Sequence, residues 1–381
     1  MGPNNKHALY SVIAGTGSYL PTRKIPNTHF LQKEFYASDG SRLTKPNHEI
    51  INNFEIITGI KERRYVTDDI TTSDIAFFAA QEALRSSHID KETIDYLIVA
   101  HNFGDLLCDN RRSNIVPSIS ARVKYKLGIE NPKTVAYDIP FGCPGWLQGV
   151  IQADCFIKVG IAKRVLVIGA ETLSRIADPH DIDSMIYSDG AGAVVFEARE
   201  GTENIGIISH AARTDTLNHA HLLHMGKSYN PSHGNGDLFL KMEGHKVYDY
   251  ALRTVPFVVK ECLDTAGFSI FDVSKVLLHQ ANAKMDEAIL KRLCRLYNMR
   301  EFAHDIMPMT IERLGNSSVA TLPTLIDLLY KGHLDGHRIA AGDLLVFASV
   351  GAGMSINAMT YKVPEQEVSL CGASMPGGAA G

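Results

Sequence analysis

Val135-Ala136-Tyr137-Asp138-Ile139-Pro140-Phe141-Gly142-Cys143-Pro144-Gly145-Trp146 is the stretch on which the reading of this chain turns. Residues 135–139 read as a strand and residues 146–159 as an apolar helix, so Cys143 stands at a strand-to-helix junction. The partial positive charge of a helix N-terminus stabilises a thiolate, which predicts a lowered thiol pKa at this position. Gly142 and Gly145 keep the approach to the sulfur sterically open. On these residues alone a buried structural cysteine and a nucleophile fit equally well.

Outward from the junction, apolar runs alternate with helical patterns. Ser11-Val12-Ile13-Ala14 reads as a short strand ending at Gly15-Thr16-Gly17. Residues 28–54 are irregular and polar. Thr71-Thr72-Ser73-Asp74 is a helix start, with hydroxyls for capping and a carboxylate in the first turn, and 75–84 continue on a helical period. Residues 96–100, 164–169, 193–196, 276–279 and 344–348 read as buried strands, and 101–114 as a loop or lid. Helices are predicted near 286–297 and after Gly315-Asn316-Ser317-Ser318. Continuous apolar strands between helices imply sheets covered on both faces, hence an α/β fold. A boundary near Gly201 divides the chain into residues 1–200 and 201–363, halves of similar content. Residues 364–381 turn small and Gly-rich and read as a flexible tail.

Composition narrows the function. The 381 residues are 45% hydrophobic and 21% charged, enough apolar material for a core of native density without disulfides. A formal charge of −4 argues against a nucleic-acid binder. No apolar run reaches the length of a membrane span, and residues 1–7 lack a signal-peptide core, so a cytoplasmic location is expected. The six cysteines form no C-x-x-C pair, which disfavours zinc ribbons and redox motifs.

Other motifs have plain readings. Gly15-Thr16-Gly17 lacks the third glycine of a dinucleotide fingerprint and reads as a tight turn. His219, His221 and His224 could bring two imidazoles together, but no nearby Cys or Glu completes a zinc set. A loop or interface role is expected for them, and no metal. His279, in His279-Gln280-Ala281-Asn282, ends an apolar strand, a usual site position in α/β folds. Asn316 follows a glycine at a helix start and suits an N-cap, a site, or both. Gly351 ends a strand in a Gly-x-Gly turn, where its N–H can face a ligand.

Thr58-Gly59-Ile60-Lys61-Glu62-Arg63-Arg64, Asp189-Gly190-Ala191-Gly192-Ala193-Val194, His279-Gln280-Ala281-Asn282 and Gly315-Asn316-Ser317-Ser318 occur in this order around Cys143. Together they resemble the β-ketoacyl-acyl-carrier-protein synthase III group of the thiolase superfamily, over residues 12–362. The resemblance implies a thiolase-like fold, with two similar βαβα halves building a five-layered αβαβα core, as a homodimer. It implies Cys143, His279 and Asn316 as catalytic residues and the N–H groups of Cys143 and Gly351 as an oxyanion hole. It further implies an acyl-Cys intermediate and thioesters of acyl carrier protein or coenzyme A as substrates, with no metal or redox cofactor. Papain-like proteases share the order Cys, His, Asn, but Cys143 lies mid-chain and its flanks differ. A non-catalytic partner subunit of a condensing complex would be expected to lose the nucleophile, which this chain keeps.

Departures from the family pattern bear on substrate. Where the family often places Trp and Arg to clasp coenzyme A, this chain has Asn53 and Ile57. Arg175 is left as a candidate adenine partner, and Lys61, Arg63 and Lys284 as candidates for phosphopantetheine or carrier contacts, or as plain surface charges. By the resemblance, Val116 in Asn114-Ile115-Val116-Pro117-Ser118 occupies the position that reaches the partner's acyl pocket across the dimer. The His101-Asn102-Phe103-Gly104-Asp105 segment, the Leu106 to Asn114 insertion and the enlarged region between Tyr36 and Asn53 point to a specialised branch, of the dialkylresorcinol-forming kind. The initiating synthase of fatty-acid synthesis is the alternative.

Overall fold

The computed structural model describes residues 8–201, 204–233, 236–303 and 305–365. The chain runs β1 (Ala8–Tyr19), β2 (Arg23–Pro26), α1 (Asn47–Thr58), β3 (Glu62–Tyr65), α2 (Thr72–Ser87), β4 (Tyr96–His101), β5 (Asp105–Leu107), β6 (Asn110–Asn114), α3 (Ile119–Leu127), β7 (Val135–Pro140), α4 (Gly145–Lys158), β8 (Arg164–Thr172) and β9 (Asp189–Gly201). It continues with β10 (Gly206–Thr214), β11 (Leu223–Gly226), β12 (Phe239–Met242), α5 (Gly244–Ala266), β13 (Val273–Leu278), α6 (Ala283–Leu296), a short α7 (Ile311–Leu314), α8 (Thr321–Tyr330), β14 (Leu344–Gly351) and β15 (Ser355–Lys362).

Strand periodicity explains the layering. In β8, Val165 and Val167 join the core around α4 and α8, while Leu166, Ile168 and Ala170 join the core around α2 and α3. In β14, Leu345 and Phe347 face α4 and α8, while Leu344, Val346 and Ala348 face α5 and α6. Strands apolar on both faces demand cover on both sides. The result is five layers: α2 and α3, a sheet, α4 with α8, a second sheet, and α5 with α6. The first sheet is ordered β1-β9-β8-β4-β7 and the second β10-β15-β14-β13, each mixing parallel and antiparallel pairs. This is the thiolase-like αβαβα arrangement. The tail expected from residue 364 lies, from 366 on, outside the described residues. Among those described, no helix is long and apolar enough to cross a membrane.

The helix start at Thr71 is confirmed by a capping box, in which the Asp74 carboxylate accepts from Thr71 N at 2.8 Å. Other expectations change. Gly15-Thr16-Gly17 is no turn: β1 runs straight through it to Tyr19 and pairs with β9. Its glycines let α2 lie directly on the strand, since a Cβ on Gly17 would sit 2.3 Å from Ala79 O. The irregular region 28–54 ends in α1 because Gly59, at φ 74°, supplies the left-handed cap. Residues 101–114 hold a small β5–β6 hairpin in place of a lid.

Gly17→Ala should therefore destabilise the fold by about 2–3 kcal/mol, because the added methyl meets backbone that cannot rotate away. Gly244→Ala, whose methyl would meet nothing closer than 3.9 Å, serves as the control and should change little. Urea unfolding midpoints check both.

Candidate active site

The N-terminus of α4 enters between the two sheets, and Cys143 sits just ahead of it. Gly142 adopts φ 70°, and its carbonyl accepts from Gly145 N at 2.9 Å, closing the turn that presents the cysteine. From the second sheet, the end of β14 brings Gly351 against this turn. A Cβ on Gly351 would lie 2.6 Å from Cys143 N, so only glycine permits the two backbones to meet. His279 follows β13 and is tied to the neighbouring β14 by its own N–H, which donates to Ala348 O at 2.8 Å. Asn316 is held between Ile186 O and Ser188 N on a bridge to Tyr187.

These residues line one cavity of about 230 Å³. Phe103, Leu173, Leu223, Leu240, Met242 and Val350 supply much of its remaining wall. The structure thus gathers Cys143, His279, Asn316 and Gly351, which are far apart in sequence, around a mostly apolar space.

Burial governs their protonation. It pushes the Cys143 thiol up to about 11, and the Ser318 hydroxyl, which donates to the sulfur at 3.3 Å, only partly opposes this. The lowered pKa expected from the helix N-terminus is corrected accordingly: loss of hydration outweighs the helix dipole, and the resting residue is a thiol. Burial pulls His279 down to about 4, so its imidazole is neutral at pH 7. Its Nδ1 is buried without a partner, which leaves Nε2 to face the cavity. The Asn316 amide is divided. Its Oδ1 accepts from Ser318 N at 2.7 Å and starts the turn into α8, and its Nδ2 is left for the cavity. The N-cap expected of Asn316 is not found, since α8 starts after Ala320 without a side-chain cap; Asn316 instead closes an Asx turn two residues ahead while lining the cavity.

A polar chain behind the cysteine escaped the sequence reading. Ser318, with φ 54° in the left-handed region, accepts from Asn102 Nδ2 at 3.1 Å while donating to the sulfur. Asn102 Nδ2 and N both donate to Glu171 Oε2, at 2.6 and 2.8 Å. Burial pushes the Glu171 carboxyl up to about 7, against the pull of His101 and of these hydrogen bonds. The signal was available: an acid closing the apolar run of β8 is a buried charge that needs a reason. His101 anchors the segment from behind, with Nε2 2.9 Å from Asp138 Oδ2 and Nδ1 accepting from Gly104 N at 3.0 Å.

With this geometry established, similarity to known proteins is informative. Models of 3-oxoacyl-[acyl-carrier-protein] synthase III match residues 137–216, and of its C-terminal part residues 263–363. The β-ketoacyl-[acyl-carrier-protein] synthase III of Xanthomonas campestris pv. campestris is 34% identical over 350 residues, covering 91% of this chain and 96% of that protein. The chain belongs to the β-ketoacyl-acyl-carrier-protein synthase III family. It is an acyltransferase-type condensing enzyme of that family. The crystal structure of the Aquifex aeolicus 3-oxoacyl-[acyl-carrier-protein] synthase III superposes with a TM-score of 0.75 at 28% identity, covering 92% of this chain and 99% of that one. The fold is also shared with Xanthomonas campestris OleA, at a TM-score of 0.72 and 16% identity over 94% of this chain and 98% of that one.

Several residues expected to touch substrate in this synthase III chain do other work. Arg63 is fully buried, donating to Met185 O, Ile25 O and Asn27 Oδ1 and lying over the Phe30 ring, so it staples β3 to its surroundings and reaches no carrier. Arg175 is likewise buried, its guanidinium taken up by the carbonyls of Leu106, Thr67 and Asp68, which excludes it as an adenine partner. Lys61 is exposed and paired with Glu312 at 2.8 Å, and Lys284 is exposed at the start of α6. Val116 is 84% exposed and does not line the cavity of its own chain. Of the histidine cluster, His219 packs on Tyr250, and His224 lies in β11, where it lines the cavity. Among the described residues no group of three or more His, Cys, Asp and Glu is placed to hold a metal.

Glu171 raises the Cys143 pKa through its charge, so Glu171→Gln should lower the pH midpoint for alkylation of Cys143 by iodoacetamide. The amide keeps an oxygen for Asn102 to donate to. Mass analysis of the Cys143 peptide across a pH series reads the shift, whose direction must be downward.

Proposed function

We propose that the chain condenses two acyl thioesters through an acyl-Cys143 intermediate. The observation carrying this reading is the meeting of a cysteine thiol, a neutral imidazole and an amide Nδ2 at the wall of an apolar cavity. The Cys143 sulfur attacks the acyl carbonyl, and the carrier thiol leaves with the proton that the cysteine gives up. The N–H groups of Cys143 and Gly351 stabilise the oxyanion between these events. A malonyl-type thioester enters next and loses CO₂. His279 Nε2 and Asn316 Nδ2 donate to the resulting enolate oxygen. The enolate carbon attacks the acyl-cysteine, the new carbon–carbon bond forms, and the thiolate is expelled and reprotonated. No metal or redox cofactor enters this scheme.

The substrates under this reading are thioesters of acyl carrier protein or coenzyme A, taken by a homodimer. Loss of Arg175 and of the Trp and Arg that Asn53 and Ile57 replace weakens a coenzyme A clamp and favours delivery by carrier protein. Lys61 and Lys284, both exposed, are the basic residues left for a carrier's acidic surface. The finer assignment is to specialised lipid synthesis of the dialkylresorcinol kind, supported by the β5–β6 hairpin beside the site. The 34% identity to a β-ketoacyl-[acyl-carrier-protein] synthase III favours a second reading, initiation of fatty-acid synthesis. A panel of acyl-carrier thioesters, followed by intact mass of Cys143 adducts, separates them: an acetyl preference supports initiation, a longer-chain preference the specialised branch.

Cys143→Ala should abolish acyl adducts while leaving the fold intact. His279→Ala and Asn316→Ala should still take an acyl group but condense on the order of 10²–10³ more slowly, because their donors serve the enolate. Single-turnover measurement of the two half-reactions tests this, and equal loss in both would make His279 chiefly the base for Cys143.

Val116 bears on chain length. If a valine in place of an aromatic opens the partner's pocket by three methylenes, longer chains gain about 2.4 kcal/mol, roughly fifty-fold, over acetyl. Cys143 should accordingly be acylated faster by medium-chain than by acetyl thioesters, and Val116→Phe should reverse that order. Competition between acetyl and octanoyl thioesters, read by mass, decides it; an unchanged order assigns pocket depth elsewhere.

A further inference from the structure

The scheme above answers each charge it creates except the one on the sulfur. The N–H groups of Cys143 and Gly351 serve the oxyanion, and His279 and Asn316 serve the enolate. Cys143 takes on thiolate charge twice, as it attacks the acyl carbonyl and as the new carbon–carbon bond expels it. Burial opposes that charge both times.

Ser318 is the side chain placed to meet it. Its Oγ lies 3.3 Å from Cys143 Sγ, and both residues line the same cavity. The groups behind it fix the direction of that bond. An amide nitrogen donates two hydrogens and accepts none. Asn102 Nδ2 spends one on Glu171 Oε2, at 2.6 Å, and the other on Ser318 Oγ, at 3.1 Å. The Ser318 hydrogen therefore cannot turn back to Asn102 and is directed to the sulfur. The backbone is fixed as well: Ser318 is 3% exposed, holds φ 54°, and gives its N–H to Asn316 Oδ1 at 2.7 Å.

A thiol or thioester sulfur is a weak acceptor, whereas a thiolate draws a charge-assisted hydrogen bond. A donor aimed at the sulfur gains strength as the sulfur gains charge, which is the differential binding that accelerates a step.

We infer that Ser318 is a further catalytic residue, whose hydroxyl donates to the Cys143 sulfur both as it attacks the acyl carbonyl and as it is expelled in condensation. This rests on the reading of Cys143 as the acylated residue. No proton changes place on Ser318: the cysteine proton leaves with the carrier thiol, and the hydroxyl keeps its own. Its signature differs from that of His279 and Asn316, whose donors serve one half-reaction, whereas Ser318 serves both.

The test uses the full chain carrying Ser318→Ala or Ser318→Gly, with melting temperatures to establish that each folds. Glycine suits the left-handed backbone at this position and removes the hydroxyl without strain. Alkylation of Cys143 by iodoacetamide at about pH 8.5, below the midpoint of the thiol, follows the thiolate fraction. It should slow about tenfold in both variants, the scale of one hydrogen bond to a charged group. Single-turnover acylation by the octanoyl thioester of N-acetylcysteamine, and condensation of the acyl-enzyme with the malonyl thioester, should each slow by a similar factor. Loss of the donor is the same in the two variants, whereas a loosened turn would cost the glycine variant more. Parent rates of alkylation or acylation in a folded variant, a loss confined to condensation, or a loss clearly greater with glycine than with alanine each overturn the inference while acylation of Cys143 stands. If no thioester acylates Cys143 in the parent, the reading of Cys143 itself fails and carries the inference with it.

Discussion

Burial of polar groups at the seam between the two sheets is the constraint on which the site depends. The α4 N-terminus, the end of β14 and the turn at Ser318 meet there around the cavity, and the close approach of Gly351 to Cys143 N brings the two backbones together. Three titratable groups register the consequence together. The Cys143 thiol and the Glu171 carboxyl are pushed up and the His279 imidazole is pulled down, each toward its neutral form. A helix N-terminus acts on one of these groups with a fraction of a charge, whereas desolvation acts on all three. The thiol and the imidazole are consequently neutral near pH 7, while Glu171 sits near the midpoint of its titration.

The scaffold was legible wherever burial and periodicity coincided. Residues 164–169 and 344–348 are apolar on both faces, and the layered core follows from them. The junction around Cys143 was legible as a strand-to-helix turn from the change of periodicity on its two sides, although those residues alone left a structural cysteine and a nucleophile equally open. Readings that treated charge as a marker of surface failed. Arg63 and Arg175 are buried because backbone carbonyls absorb their donors, and nothing local in the sequence announces distant carbonyl partners. Gly15 and Gly17 misled for the opposite reason. A glycine serving close approach of a helix looks in sequence like a glycine serving a turn, and only the packing of α2 distinguishes them.

The polar chain from Glu171 through Asn102 and Ser318 to the sulfur illustrates a further limit. Its members are separated by 69 and 216 positions, so no window of sequence contains them. Each is unremarkable alone, and they become a network only because β4, β8 and the turn before α8 end at the same seam. The left-handed backbone of Ser318 is part of that convergence, since a non-glycine residue holds such a conformation only where its surroundings fix it.

The divided amide of Asn316 joins the architecture of the chain to its chemistry in one group of atoms. Its oxygen belongs to the turn and its nitrogen to the cavity, 180° of amide rotation apart in role. Aspartate would preserve the first and abolish the second, putting an acceptor at the cavity wall in place of a donor. Serine or alanine would loosen the turn as well. The turn alone therefore tolerates a wider alphabet at this position than the turn and the cavity donor together. Of these side chains, only asparagine offers the turn an acceptor and the cavity a donor at once.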